Sequence, residues 1–324
     1  MTPHYTRLPL WRRVVHAPVG AIVWTVARMP FRLLYALADV TDFMLRAVIR
    51  YRRRIVRGNI DACFPEMDEK ARRKVEREFY RNFADYFFES LKLAHISDKA
   101  MRSRMTFSGF DRVTPFLRQG RTVTAYFAHC GNWEWVPSIT LCNEGPEAVE
   151  GAVFAQVYRP LDDKWFDNLF LRLRSRFGSV SIKKKNVLRE LLHWRRDSVP
   201  SITGFMSDQK PSHNDPDFAV SFLGRPTLFI TGTETLARKL GSPVVYFDIS
   251  KPSRGHYHVD VVLMCADASA TRPGQLTDTY TALLQRTIRR NPAIWLWSHN
   301  RWRKKPSGPI HTLDLLPGFE NLRP

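Results

Sequence analysis

The hydrophobic pattern divides the chain before any single residue does. Residues from about 18 to 57 place apolar side chains at helical spacing and predict one or two amphipathic helices ending in Tyr51-Arg52-Arg53-Arg54. The stretch from Asn59 to Pro65 breaks that pattern. Asp68 then stands as a helix N-cap ahead of Val75, Phe79, Phe83, Tyr86, Phe87 and Leu91, a three-and-four spacing that marks one buried face. This aromatic stripe reads as core or as the wall of an apolar groove. From Arg121 the period shortens to that of a strand, which runs over 122–128 and closes on His129-Cys130-Gly131-Asn132 before a helix at Trp133. Further strands are predicted at 151–157, 201–206, 243–249 and 256–263, with helices at 162–177, 186–195, 231–240 and 275–290. Strands alternating with helices predict an α/β fold whose central, mostly parallel sheet is flanked by helices. With no repeat or low-complexity tract, the chain reads as two parts. These are a helical membrane-associating segment at 1–57 and an α/β catalytic domain at 58–324.

Charge narrows the setting. Fifty Lys and Arg against 31 Asp and Glu give a formal charge of +19, which requires a negative partner: nucleic acid, an anionic membrane face or an acidic carrier protein. A hydrophobic content of 44% excludes a disordered chain. Residues 17–27 are uncharged, but this run is well short of the roughly 20 residues needed to cross a bilayer. A helix lying in the interface, or a short tilted insertion, fits better. Between residues 1 and 57 there are eleven Arg, no Lys and only Asp39 and Asp42, interleaved with Trp11, Trp24, Phe31 and Tyr35, a mixture suited to lipid headgroups. The alternative is a basic helix packed on the body of the protein. Arg28 and Arg32 follow the apolar run where a signal peptide would have a cleavage site, so a signal peptide is not expected. The four cysteines form no C-x-x-C pair, so neither a zinc site nor a disulfide framework is indicated.

Candidate chemistry centres on His129 and Glu134, an H-x4-E pair at the carboxyl end of a predicted strand, where open α/β sheets place their ligands. A carboxylate holding one imidazole nitrogen leaves the other free to take a proton from a hydroxyl. Gly131 and Asn132 supply the tight turn and amides suited to an oxyanion. On these residues alone, a structural histidine near a helix terminus is an equal alternative. Cys130 neighbours His129 along the strand and so points to the opposite face, which argues against a Cys–His nucleophilic pair. Arg159, at the end of a predicted strand, offers a bidentate fork for a phosphate or sugar, or a surface ion pair. Nine Lys and Arg lie between residues 172 and 196, among them Arg174, Arg176 and Lys183 to Lys185, available to anionic headgroups or an acidic partner. Asp208-Gln209 follows a predicted strand and is placed to position substrate or a loop, and Arg225 is a similar case. His256 and His258 share a strand face without a third ligand, so no metal site is predicted.

Several ordered stretches add to this. His129-Cys130-Gly131-Asn132-Trp133-Glu134 resembles the H-x4-D/E signature of the late acyltransferases of lipid A biosynthesis, the lauroyl and myristoyl transferase family of the lysophospholipid acyltransferase superfamily. Other stretches resemble that family in the same order: Tyr51-Arg52-Arg53 with Asn59 and Phe64-Pro65, Val157-Tyr158-Arg159-Pro160, Arg174-Ser175-Arg176-Phe177-Gly178, Asp208-Gln209, Phe222-Leu223-Gly224-Arg225-Pro226, and Trp297-Ser298-His299-Asn300-Arg301-Trp302. The resemblance spans about residues 30 to 305. It departs at Cys130, where Phe or His is common, and the E-G-T-R-S phosphate motif of glycerophosphate acyltransferases is missing. The resemblance implies a transferase using His129 and Glu134, with Gly131, Asn132, Arg159, Arg176, Asp208 and Arg225 as substrate-binding candidates. It further implies acyl carrier protein thioester as donor, a lipid A precursor as acceptor, and a place on the cytoplasmic face of the inner membrane. Such a mechanism needs no cofactor and no metal. A related enzyme for another lipid, such as an aminolipid or a polyene pigment precursor, stays open. A non-enzymatic nucleic-acid binder is disfavoured, since no helix-turn-helix, zinc-finger or RNP signature is present.

Overall fold

The computed structural model describes residues 5–145, 148–212 and 215–322. Four helices lead: α1 (Leu10–Arg28), α2 (Phe31–Phe43), α3 (Arg53–Cys63) and α4 (Glu69–Lys92). After α5 (Asp98–Arg104) come β1 (Met105–Ser108), α6 (Thr114–Arg118), β2 (Thr122–Phe127) and β3 (Val153–Tyr158). Then follow α7 (Lys164–Arg174), β4 (Val180–Lys183), α8 (Val187–Arg196), β5 (Ser201–Met206), β6 (Phe218–Phe222) and β7 (Arg225–Phe229). The last elements are α9 (Gly232–Leu240), β8 (Val244–Ser253), β9 (His256–Cys265) and α10 (Gln275–Arg290). Seven strands form one sheet in the order β1-β9-β8-β2-β5-β3-β4, and β6 pairs with β7 in a separate antiparallel ribbon. Within the large sheet only the β8–β9 pairing is antiparallel. The predicted α/β class and mostly parallel sheet therefore hold.

The expected strand at 122–128 is the sheet's centre. Every residue of β2 is buried, as a parallel strand covered on both faces must be. Asp68 does cap α4: its carboxylate accepts the amide of Ala71 at 2.6 Å. Two local expectations need correction. The break expected from Asn59 falls inside α3, because Val56, Ile60 and Cys63 lie on one face in the main core and carry the helix to Cys63. The helix expected at Trp133 is a tighter 3₁₀ segment, Trp133–Cys142, with Pro137 inside it.

The leading helices pack on the body. Leu34 and Ala38 of α2 and Val26 and Ala27 of α1 are buried. The Lys92 ammonium donates to the carbonyls of Ala27 and Met29 at 2.8 and 2.7 Å, closing the end of α1. A boundary after Arg57 would cut α3, whose apolar face belongs to the main core. The opposite faces of α1 and α2 leave Trp11, Val14, Val15, Ile22, Trp24, Leu33, Leu37, Val40 and Phe43 exposed. Among the described residues, no helix is long and apolar enough to cross a membrane.

Candidate active site

The register of the sheet builds the site. β2 and β5 run parallel with Phe127 opposite Met206, so two residues further on His129 arrives beside Asp208. Both therefore project at the carboxyl edge of the sheet, where parallel strands end and loops begin. The His129 Nδ1 meets Asp208 Oδ1 at 2.7 Å, and the His129 amide donates to Asp208 Oδ2 at 3.1 Å. The Trp295 indole N–H donates to the same Oδ2 at 2.9 Å. On the other side of the ring, the Gln209 side-chain nitrogen lies 3.2 Å from His129 Nε2. Asp208 is buried, its side chain only 2% exposed against 14% for His129. Burial by itself would raise its carboxyl, but the His129 ring, the Trp295 indole and the His129 amide outweigh that and hold it at about 2.

The carboxylate that fixes the imidazole is thus Asp208, not Glu134 as the H-x4-E spacing suggested. Glu134 is buried and receives a bidentate pair from Arg174, the last residue of α7, with Nε and Nη2 each at 2.7 Å. The Glu134 charge in turn raises Arg174 against the opposing effect of burial. Trp133, between the two motif residues, stacks on Tyr86 at 4.0 Å and meets the His129 ring edge-on at 5.1 Å. The stripe on α4 continues this row, with Phe79, Phe83 and Tyr86 stacked in sequence.

Of the two amides expected to serve an oxyanion, that of Gly131 is already engaged. The Gly131 amide already donates to the Ile294 carbonyl at 2.9 Å, and Asn132 is fully buried with its side-chain amide turned inward to Glu89. Gly131 is needed for shape: its φ is +57°, and a Cβ there would lie 3.0 Å from the Tyr257 ring. In Asp208, whose side chain is 2% exposed, both carboxylate oxygens are engaged, by His129 and Trp295. Arg159, at the end of β3, is exposed and forms no hydrogen bond or ion pair among the described residues. Arg176 is tied to α5, donating to the Ile96 carbonyl and to Asp98 at 3.1 and 3.2 Å. Arg225 stacks over the Trp302 ring at 4.2 Å and lies against Cys63, so it ties β7 to α3 and to the C-terminal segment. Cys130 is fully buried and its thiol is pushed well up by that burial, which fits its reading as a non-nucleophile.

Two further groups near the ring were read in the sequence only as parts of longer stretches. Gln209, named only as part of a dipeptide, contacts the His129 Nε2. The His299 Nε2 accepts the Lys210 amide at 3.3 Å, and burial drives its ring down to about 4, so it is neutral near pH 7. A narrow apolar crevice with a free volume of only about 20 Å³ lies beside β2, β3 and β5, lined by Phe127, Val136, Ile139, Phe154 and Phe247. Phe127 lies two residues before His129 on β2, and Val136 and Ile139 belong to the 3₁₀ segment that follows it. A wider cleft lined by Phe218, Arg238 and Pro273 includes neither His129 nor Asp208.

The chain matches the family model for bacterial lipid A biosynthesis acyltransferases over residues 7–304. It is similar to the lipid A biosynthesis palmitoleoyltransferase of Escherichia coli K12, at 21% identity over 288 residues that cover 89% of this chain and 90% of that protein. The lipid A biosynthesis lauroyltransferase of the same organism is 20% identical over the same shares. A lipid A biosynthesis acyltransferase of Shigella flexneri is 21% identical over 288 residues. With the family model covering nearly the whole chain and the histidine at the sheet edge, this protein is an acyltransferase and belongs to the bacterial lipid A biosynthesis acyltransferase family.

Proposed function

We propose that the protein transfers a fatty-acyl chain from an acyl carrier protein thioester to a hydroxyl of a lipid A precursor, with His129 as general base. The observation that carries this reading is the hydrogen-bonded line Asp208–His129–Gln209 at the carboxyl edge of β2 and β5. Asp208 holds the proton on Nδ1, so Nε2 presents a lone pair, now facing the Gln209 amide. An arriving hydroxyl takes the place of that amide. Its proton passes to Nε2 as its oxygen attacks the thioester carbonyl. The tetrahedral intermediate collapses with cleavage of the C–S bond, and the imidazolium returns the proton to the thiolate. Ionised Asp208 stabilises the imidazolium between these steps.

Glu134 acts at one remove, by locking Arg174 and with it the end of α7 beside the His129 turn. Arg159, exposed and unpaired among the described residues, suits an anionic group of the acceptor. The exposed apolar faces of α1 and α2, rimmed by Arg12, Arg13, Arg28 and Arg32, suit the anionic cytoplasmic face of the inner membrane, lying on it rather than crossing it. The net charge of +19 favours an acidic donor protein equally well. Purified protein assayed with acyl carrier protein and CoA thioesters, comparing wild type with His129→Ala and Glu134→Ala, tests the reading. Loss of transfer in His129→Ala is expected, and an undiminished rate refutes it.

A further inference from the structure

Glu89, on α4, is a buried carboxylate at 1% exposure that the reaction above does not use. Its three side-chain donors are all neutral: the Tyr35 hydroxyl at 3.0 Å on Oε1, and the Asn132 amide and Tyr257 hydroxyl at 3.0 and 2.8 Å on Oε2. Its backbone carbonyl also accepts the Trp135 indole N–H at 3.0 Å. Taking a carboxylate out of water is unfavourable, and neutral donors compensate it less well than a cation does. Such a group is a poor choice for stability alone. What it touches is specific. Asn132 and Trp135 bracket Trp133 and Glu134, the residues against the His129 ring and Arg174. Tyr257, the third partner, carries the ring that a Cβ at position 131 would strike.

We infer that Glu89 is a positioning residue for acyl transfer: its carboxylate clamps the turn after His129 through Asn132 and Tyr257, and so sets where Trp133 meets the imidazole. The donor on Oε1 comes from α2, the helix whose outer face carries Leu33, Leu37, Val40 and Phe43, so the same carboxylate joins that helix to the turn. The inference rests on His129 being the base. An amide at position 89 keeps the shape but removes the charge, so the bonds from Asn132 and Tyr257 fall from charge-assisted to neutral and the Tyr35 hydroxyl must turn to accept from the new NH₂.

The test compares Glu89→Gln, Asn132→Ala and the double variant in the transfer assay, with His129→Ala alongside. It also follows amide hydrogen exchange over residues 130–135. For Glu89→Gln, kcat should fall by about 10²-fold, the penalty of misplacing a catalytic group by about an ångström, with KM for both substrates little changed. The double variant should be no slower than the slower single variant, and exchange at 130–135 should accelerate while β2 and β5 stay protected. A merely structural role would lower the folded fraction and leave kcat per folded molecule intact. Wild-type kcat in folded Glu89→Gln, or losses that multiply in the double variant, overturn the inference. If Glu89→Gln does not fold, Asn132→Ala decides alone: lower kcat at unchanged KM supports the clamp, whereas wild-type kcat or a raised KM overturns it. Retained activity in His129→Ala would instead remove the catalytic reading, and the exchange data would then decide whether Glu89 holds the turn.

Discussion

Replacing Asp208 by Asn tests the core of the site, because the change removes a charge without changing shape. Three donors converge on the Asp208 carboxylate: the His129 amide and Trp295 indole on Oδ2, and the His129 ring on Oδ1. An Asn side chain has one acceptor and one donor end, and the side facing two N–H groups must be the oxygen. The NH₂ is therefore driven to the position of Oδ1, where it donates to His129 Nδ1. That forces the imidazole proton onto Nε2, the atom that must accept a proton from the acceptor hydroxyl. Loss of the correct tautomer by the same replacement in a Ser–His–Asp site lowers kcat about 10⁴-fold, which is about 5.4 kcal/mol of barrier at 1.36 kcal/mol per tenfold. We expect a kcat loss of that order in Asp208→Asn, with KM nearly unchanged and thermal unfolding close to wild type, since the bonds to Trp295 and the His129 amide persist. Steady-state acyl transfer and calorimetry measure both. A kcat within a few fold of wild type would refute the tautomer argument and return the orienting role to another group.

Arg174→Met should destabilise the fold by about 3–5 kcal/mol, because it leaves the buried Glu134 carboxylate without its bidentate partner. Urea unfolding checks this, and adding Glu134→Gln should restore most of the loss. His299 takes up a proton near 6.5 when unfolded but only near 4 when folded. Between those values the unfolded chain binds more protons, so stability should fall as pH drops through that window, and His299→Gln should flatten the dependence measured by denaturant midpoints. Trp11→Ser and Trp24→Ser remove exposed indoles, at 61% and 58% exposure, and should leave folding unchanged. Each should weaken binding to anionic vesicles about tenfold, the order expected for one apolar side chain withdrawn from the interface. Flotation assays with the two variants read this directly, and unchanged binding would place the lipid-facing surface elsewhere.

The elements that sequence alone determined are those set by neighbours three or four residues away. The Asp68 cap of α4 and the limits of β5 and α10 follow from periodicity and capping, which are local interactions, whereas the expected face of α4 holds only in part: Val75, Phe79 and Leu91 are buried but Phe87 is 53% exposed. The placement of His129 at the end of a strand was legible for the same reason. Short or packing-dependent elements were not: β1 and β4 have four residues each, too few for a period to register, and α3 runs past Asn59 because Ile60 and Cys63 find the core. The β6–β7 ribbon was signalled only by its Leu223-Gly224 turn, where both residues have positive φ.

The partners of His129 and Glu134 were decided by tertiary structure. His129 and Asp208 lie 79 residues apart, and nothing local to either chooses the other. The register of β2 on β5 does, by bringing residue 129 level with residue 208. The same holds for Glu134 and Arg174, 40 residues apart, whose pairing depends on where α7 ends against the 3₁₀ segment. Spacing along a chain tells which residues can share a turn. Which carboxylate reaches an imidazole depends on strand order, and strand order is fixed by the burial of the whole sheet.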